Sequence, residues 1–439
     1  MLRRVIVLVG LAAGLLLASA APAFALQPYP LNFNNVDFSS GTTHGLVLEG
    51  GTTLKLANGG LDQYSYTDPF SSLQVLGHDV DGSGTYDMGT WTSPIYPLTN
   101  FAFNELVSSW NAKTPPGTWI QSEVKPQLNN GHWAKWYILG RWAYNDFVDG
   151  SSDPGFHRTS VGGQGDADGF VSIDTFFTKD HPAVSYQLRL TIFRRHGLTD
   201  ADAPVRVTRY SAVASNLTNQ QQTFPSQFGG TVRDLDVPPF SQETHHGEYP
   251  EFDNGGEAWC SPTSTSMVVR YWTRETGNQY APTASETSWV DPVFADPEVD
   301  YAARYVYDYH YQGAGNWPFN TAYAAERGLV SDVTQLHNLR EAEPFIADGI
   351  PLVASVAWNS NKLDGGIKST NGHLMVIGGF TATGDVIAYD PASPDNGAVR
   401  HVYDRRQFEK AWIPASGGIV YVDRPAGWAT PDLTANNTP

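Results

Sequence analysis

The chain has 439 residues, a formal net charge of −18 and a single cysteine. So acidic a balance repels phosphate backbones and argues against a nucleic-acid partner, and one cysteine excludes an internal disulfide framework. With 13 Trp, 21 Tyr and 21 Phe and only 16% charged residues, the composition favours sheet-rich globular domains over disorder.

In chain order, a basic start at Arg3 and Arg4, the apolar run Val5 to Leu17 and the small-x-small site Ala23-Phe24-Ala25 read as a signal peptide over residues 1–25. The apolar run is shorter than the roughly 20 residues that a spanning helix needs. No later stretch is long and apolar enough to cross a bilayer. The mature chain is therefore expected to be secreted and extracellular, with no transmembrane segment.

Residues 26–210 carry an all-β pattern. Gly45 to Leu48, Thr53 to Leu56, Trp133 to Trp142, Val171 to Phe177 and Ser185 to Phe193 are short runs bounded by Gly, Asn, Asp and Pro. In the last, Tyr186, Leu188, Leu190 and Ile192 alternate with polar residues, which marks a strand with one buried face. A jelly-roll-like β-sandwich is the natural architecture. Asp79 to Asp87 places oxygens at alternate positions, as the start of a calcium loop does. Thr90 stands where such a loop has its bidentate Glu, and a glycine-rich hairpin turn is the other reading. Asp166 to Asp174 is similar but becomes strand-like after Gly169. Trp110, Trp119, Trp133, Trp136, Tyr137 and Trp142 suit either a sandwich core or a platform that stacks on sugars.

A polar linker is expected over 211–232 and a mixed α and β pattern over 233–424. Helical spacing appears over Ser261 to Trp272, Glu298 to Tyr311, Asn320 to Arg327 and Thr334 to Ala347, the last interrupted by Pro344. Strand patterns follow at Leu352 to Trp358, His373 to Phe380, Val386 to Tyr389, Val399 to Tyr403 and Ile419 to Val422, with Thr383-Gly384 as a tight hairpin. Helices followed by an antiparallel sheet make an α+β unit. Residues 425–439 are rich in Pro, Thr and Asn and are expected to form a flexible tail.

Cys260 stands at the start of the first helical run. Pro262 suits a first turn, and Met267 and Val268 pair with Tyr271 and Trp272 at i, i+4. A helix N-terminus carries unpaired N–H groups and favours negative charge, and the thiolate is the nucleophilic form of cysteine. A small buried hydrophobe is the other reading of a free cysteine. A cysteine nucleophile needs a base, a group to orient that base and donors for the oxyanion. Of the histidines that follow, His310 lies among tyrosines, His337 on a helix face and His401 on a late strand. His373 opens an apolar strand entered from the Thr370-Asn371-Gly372 loop, at the mouth of a cleft. Asp390 ends the next strand, although it could serve only as a turn residue before Pro391. His373 and Asp390 stand at unequal distances from the Thr383-Gly384 turn, so their approach depends on sheet twist and neighbouring strands.

Taken together, Gln242, Trp259 to Met267, Gly372 to Phe380 and Tyr389 to Pro391 resemble the peptidase C39-like group of papain-fold cysteine peptidases, over about residues 233–423. The resemblance implies a papain-like α+β domain. It also implies Cys260 as nucleophile, His373 as general base and acid, and Asp390 as the residue that orients it. Gln242 would supply an oxyanion donor beside the Cys260 N–H. Two features depart from the family: an inserted loop holding His245, His246 and several acids separates Gln242 from Cys260, and Ser261 stands where glycine is frequent. The expected activity is cleavage of peptide or amide bonds through a Cys-His-Asp triad, on peptide or protein substrates outside the cytosol, with cell-wall peptides or glycans as candidate partners. No cofactor and no metal are expected. A non-catalytic cell-wall or glycan-binding protein with a degenerate papain-like domain is the alternative, and an acyl transferase of the transglutaminase type is a third reading.

Overall fold

A computed structural model describes residues 29–148, 153–218, 226–359 and 362–431. The signal peptide expected over 1–25 and the last residues of the tail lie outside the described residues.

The first unit is two antiparallel seven-stranded sheets. One runs in the order Gly169–Ser172, Thr175–Thr178, Glu105–Lys113, Arg206–Ser215, Thr53–Leu56, Leu46–Glu49, with Leu31–Asn35 also paired to Arg206–Ser215. The other runs Tyr137–Trp142, Thr118–Leu128, Ala183–Arg195, Gly84–Thr92, Thr42–His44, flanked by Asp62–Tyr66 and Tyr96–Pro97. The inner faces meet in a shared core. Ser122 Oγ lies 2.8 Å from Ser108 Oγ and 2.7 Å from the Tyr210 hydroxyl, and Trp91 meets Tyr210 edge-on. The alternation in the sequence thus produces the two facing sheets it predicts.

Local details differ. Only Tyr137–Trp142 of the expected Trp133 to Trp142 run is a strand. Val171 to Phe177 folds as a hairpin, with Ile173 at φ 57 in its turn. The strand Arg206–Ser215 extends through residues expected in the 211–232 linker, because Ala212, Val213 and Ala214 are buried between two partner strands. Trp110, Trp119, Trp142 and Tyr137 are core, while Trp133 and Trp136 are half-buried beside Lys125 and Arg189. The acidic stretch Asp79 to Asp87 is not the hairpin turn the sequence offers but a connection from the short strand His78–Asp79, paired with Gln74–Val75, into Gly84–Thr92, paired with Asp62–Tyr66. Its carboxylates face different partners, with Asp79 accepting from Gln74, Asp81 from the Ser83 N–H and Asp87 meeting His196.

The second unit, with elements labelled within it, contains α1 (Cys260–Thr276), α2 (Pro297–Val306), α3 (Trp317–Glu326), β1 (Leu329–Gln335), α4 (Leu339–Ala347), β2 (Leu352–Trp358), β3 (Thr370–Phe380), β4 (Val386–Tyr389), β5 (Arg400–Tyr403), α5 (Arg405–Ser416) and β6 (Ile419–Pro425). Its antiparallel sheet has the order β1-β6-β2-β3-β4-β5, with Arg233–Asp234 added beside the end of β3. The helical run expected over Thr334 to Ala347 is therefore the end of a strand followed by α4. The strand β1 buries Ser331, Asp332 and Gln335 as well as Leu329 and Val333, while Val330 is only half-buried, so it shows no hydrophobic alternation. The helix α2 stops at Val306 rather than Tyr311, and α5 has no counterpart among the expected elements. The tail does not fray at once: Trp428 packs on Trp272 with ring centroids 5.0 Å apart and donates from Nε1 to the Asp348 carbonyl.

Helix α1 is buried on nearly every side, not along one stripe. Met267, Val268, Tyr271 and Trp272 are core. The polar side is matched by protein partners: Ser261 Oγ meets the Tyr421 hydroxyl, Ser264 donates to the Leu374 carbonyl and Ser266 to the Glu298 carbonyl. Satisfying buried hydroxyls in this way avoids the cost of leaving them dry and unpaired. Gly277 ends the helix at φ 73, a left-handed conformation that suits glycine.

The two units share one continuous core. The outer strand β1 would otherwise expose unpaired backbone groups. Instead Asn111 of the first unit mimics a neighbouring strand: its Nδ2 donates to the Ser331 carbonyl at 2.6 Å and its Oδ1 accepts from the Ser331 N–H at 3.1 Å. Ser109 Oγ accepts from Val333 N, and Asp332 accepts from Arg209 and Ser211. Elsewhere Asp146 of the first unit holds Arg304 of α2 in a buried two-point contact. Asn111→Ala leaves both Ser331 groups unpaired in a buried site and is expected to cost about 2–4 kcal/mol. Urea denaturation should show a lower midpoint with one cooperative transition, the second unit unfolding together with the first.

Candidate active site

Cys260 is the first residue of α1, half-exposed, and its N–H has no partner within the helix. Helix α1 lies across β3, so the thiol reaches the strand that carries His373. The His373 ring is buried between two groups. Its Nε2 is 2.7 Å from Asp390 Oδ1, and the Cys260 thiol lies near enough to act on its charge. Because Nε2 faces Asp390, Nδ1 is the nitrogen left for the sulfur. Trp358 packs edge-on against the ring at 6.1 Å.

The register of β3 and β4 explains how the aspartate gets there. Phe380 pairs with Val386 and Gly379 with Ile387, but then Ile377 pairs with Ala388 and Val376 with Tyr389. Gly378 is the extra residue of a β-bulge. Continued past Tyr389, this register sets Asp390 opposite Met375, two residues from His373 and on the same face. Without the bulge Asp390 would oppose Val376 and point to the other face, since a one-residue slip reverses every side chain beyond it. Glycine is required at the bulge: a Cβ at position 378 would lie 2.5 Å from the Tyr389 ring.

Asp390 is 1% exposed and fully bonded. Oδ1 accepts from His373 and from the Ala392 N–H at 3.0 Å, and Oδ2 accepts from the Tyr403 hydroxyl at 2.7 Å. Burial pushes its carboxyl up, but the His373 charge and these hydrogen bonds outweigh burial and bring it down to about 2. Burial pulls His373 down, yet the Asp390 charge and hydrogen bond, followed by the contact with Cys260, hold it up at about 10. The pair is thus an imidazolium beside a carboxylate over most of the pH range. Tyr403 was not among the residues the sequence singled out; it lies on β5, and only the stacking of three strands brings it to Asp390. Its neighbour His401 stacks on the Tyr403 ring and meets Ser393 Oγ at 2.9 Å. His337 is taken by Glu341 and the Tyr29 carbonyl.

Gln242 is buried near the loop that leads into α1. Its backbone N–H binds the Pro391 carbonyl, just after Asp390. Its Nε2 donates to the Glu257 carbonyl at 2.6 Å and faces Glu243 Oε1 at 3.2 Å, while Oε1 has no partner among the described residues. The inserted loop folds back on itself to allow this: a Cβ on Gly256 would stand 2.3 Å from the Gln242 carbonyl oxygen. Four side chains named from the sequence therefore converge around one helix end, with Gln242 bridging the Asp390 turn and the Cys260 loop. Its two amide hydrogens are directed at protein oxygens rather than at open space.

Residues 32–215 match the model of the peptidase C39 N-terminal domain, and residues 234–420 match that of the peptidase C39 like family. A solved chain from Bacillus anthracis, described as a C39-like peptidase, aligns over 44% of this chain and 96% of its own length, with 17% identity and a TM-score of 0.27. No curated protein matches the chain.

The electrostatics set a pH window. The raised His373 contributes stability that is complete below its ordinary value of 6.5 and is lost as pH rises towards about 10. The lowered Asp390 contributes stability that is present above 3.8 and is lost as pH falls towards about 2. Asp390→Asn removes the charge that holds the ring protonated, and burial then dominates. The His373 titration, followed by NMR, is expected to fall by about two units or more. Gly378→Ala should move it in the same direction, because relieving the clash with Tyr389 disturbs the register that keeps Asp390 on the His373 face.

Proposed function

We propose that this chain, whose residues 32–215 and 234–420 belong to the two domains of the peptidase C39-like family, is an exported cysteine peptidase, a papain-like domain behind a jelly-roll-like sandwich. In this reading the Cys260 thiolate attacks the carbonyl carbon of a peptide or amide, and the C=O electron pair moves onto oxygen. His373 gives its proton to the leaving amine as the C–N bond breaks, leaving a thioester on Cys260. Water then attacks the thioester while His373 takes up its proton. The acid leaves, and the thiolate and imidazolium are restored. Asp390 keeps the ring oriented and charged, and Tyr403 keeps Asp390 oriented.

The observation that carries this reading is the buried His373 ring, bonded to Asp390 at 2.7 Å and beside Cys260 at the start of α1. The first N–H of α1 is available to the oxyanion. Gln242 can add a second donor by releasing the Glu257 carbonyl. That occupied amide is also the one feature that favours the rival reading, a non-catalytic domain that binds peptide or glycan. Substrates are peptides or proteins outside the cytosol, cell-wall peptides among them. No helix among the described residues is long and apolar enough to cross a membrane.

Alkylation by iodoacetamide followed against pH separates the readings. Cys260 in the wild type should react at pH 6 to 7 faster than a free thiol, whose ordinary value is about 8.5, and His373→Ala should slow it about tenfold or more. Cys260→Ser should fold normally and lose turnover of peptide substrates. A thiol that titrates like free cysteine and ignores His373 would remove the basis for a Cys–His pair and favour the binding protein.

A further inference from the structure

The loop between Gln242 and Cys260 buries a second group of side chains that the proposed hydrolysis does not use. His245 ends the turn Gln242–His245, Glu248 follows it, and Asp300 comes from α2. Their relative exposures are 0%, 7% and 0%. His245 Nδ1 is 2.8 Å from Glu248 Oε2 and 3.4 Å from Asp300 Oδ2, and the three donor atoms lie within 4.8 Å of one another. Asp300 supplies an independent sign of a missing partner. It is wholly buried, yet neither of its oxygens accepts a hydrogen bond, and among the described residues its one ion-pair partner is a ring that Glu248 shares. Buried carboxylates normally take several hydrogen bonds or a cation. Two buried carboxylates thus face one imidazole nitrogen.

We propose that His245, Glu248 and Asp300 bind one divalent transition cation of the zinc type, with water completing its shell. Ligand atoms about 2.0–2.1 Å from a tetrahedral zinc stand about 3.3 Å apart, which the two measured separations bracket. One imidazole and two carboxylates suit zinc better than calcium or magnesium, which favour oxygen ligands throughout. The ion would clamp the inserted loop to α2. The His245 ring lies 5.9 Å from that of Trp259, the residue before Cys260, and Gln242 begins the same short turn. The site therefore braces the wall that carries Gln242, and it exists whether or not the proposed hydrolysis is correct.

The test is calorimetric titration of the chelator-treated full chain with Zn2+, in the Cys260→Ser form so that the thiol does not compete. One equivalent is expected to bind, and Asp300→Asn and Glu248→Gln should each weaken it at least about tenfold. Circular dichroism checks that each variant is folded; if Asp300→Asn does not fold, Glu248→Gln alone gives the answer. Bound Co2+ should show visible ligand-field bands that the folded variant loses. Absence of a stoichiometric site, or a site of unchanged affinity in the folded variant, overturns the proposal.

Discussion

One extra residue in β3 governs the geometry of the site. The bulge at Gly378 shifts the β3–β4 register by one position, which brings Asp390 to the face that His373 already occupies. Without it the carboxylate would point away from the ring however tightly the hairpin formed. The absence of a side chain at 378 lets the Tyr389 ring pack against the bulge, and the Gly378 carbonyl accepts from Leu235 N, which leads the chain in from the first unit. A backbone irregularity is thus locked from both sides by ordinary packing.

Helix α1 and the sheet depend on each other in the same way. Its hydroxyl-rich side is not solvated but bonded to β3, β6 and α2. Those bonds fix the rotation of the helix about its axis, and the rotation decides where the first residue projects. Cys260 owes its position beside His373 to side chains one and two turns further along. The charge arrangement follows: His373 is buried, which alone would discharge it, and the Asp390 carboxylate, itself held by three donors, reverses that outcome.

The first unit completes the second. The strand β1 is an outer strand with polar residues facing the first unit, and Asn111, Ser109, Arg209 and Ser211 supply what a further strand would. With Asp146 bound to Arg304 across the same junction, the two units share a core instead of being joined by a linker alone. That arrangement is consistent with the paired matches to an N-terminal domain and a peptidase-like domain.

Much of this was legible in the residues. Alternation fixed the paired sheets of the first unit, the punctuation by Pro and Gly marked most strands of the second, and Cys260 before Pro262 marked the start of a buried helix. Local chemistry sufficed there, because propensity and periodicity act over a few neighbours. It failed where a partner distant in sequence supplied the missing half. The strand β1 shows no alternation because its polar residues are satisfied by the first unit, and Tyr403 reaches Asp390 only through the stacking of β3, β4 and β5. The unequal spacing of His373 and Asp390 from their turn could not be resolved from sequence, since a bulge changes register without any propensity signal beyond one glycine among two. Residue identity determined which groups could act; the tertiary structure decided which face each one shares, because a single residue of register outweighs every local preference.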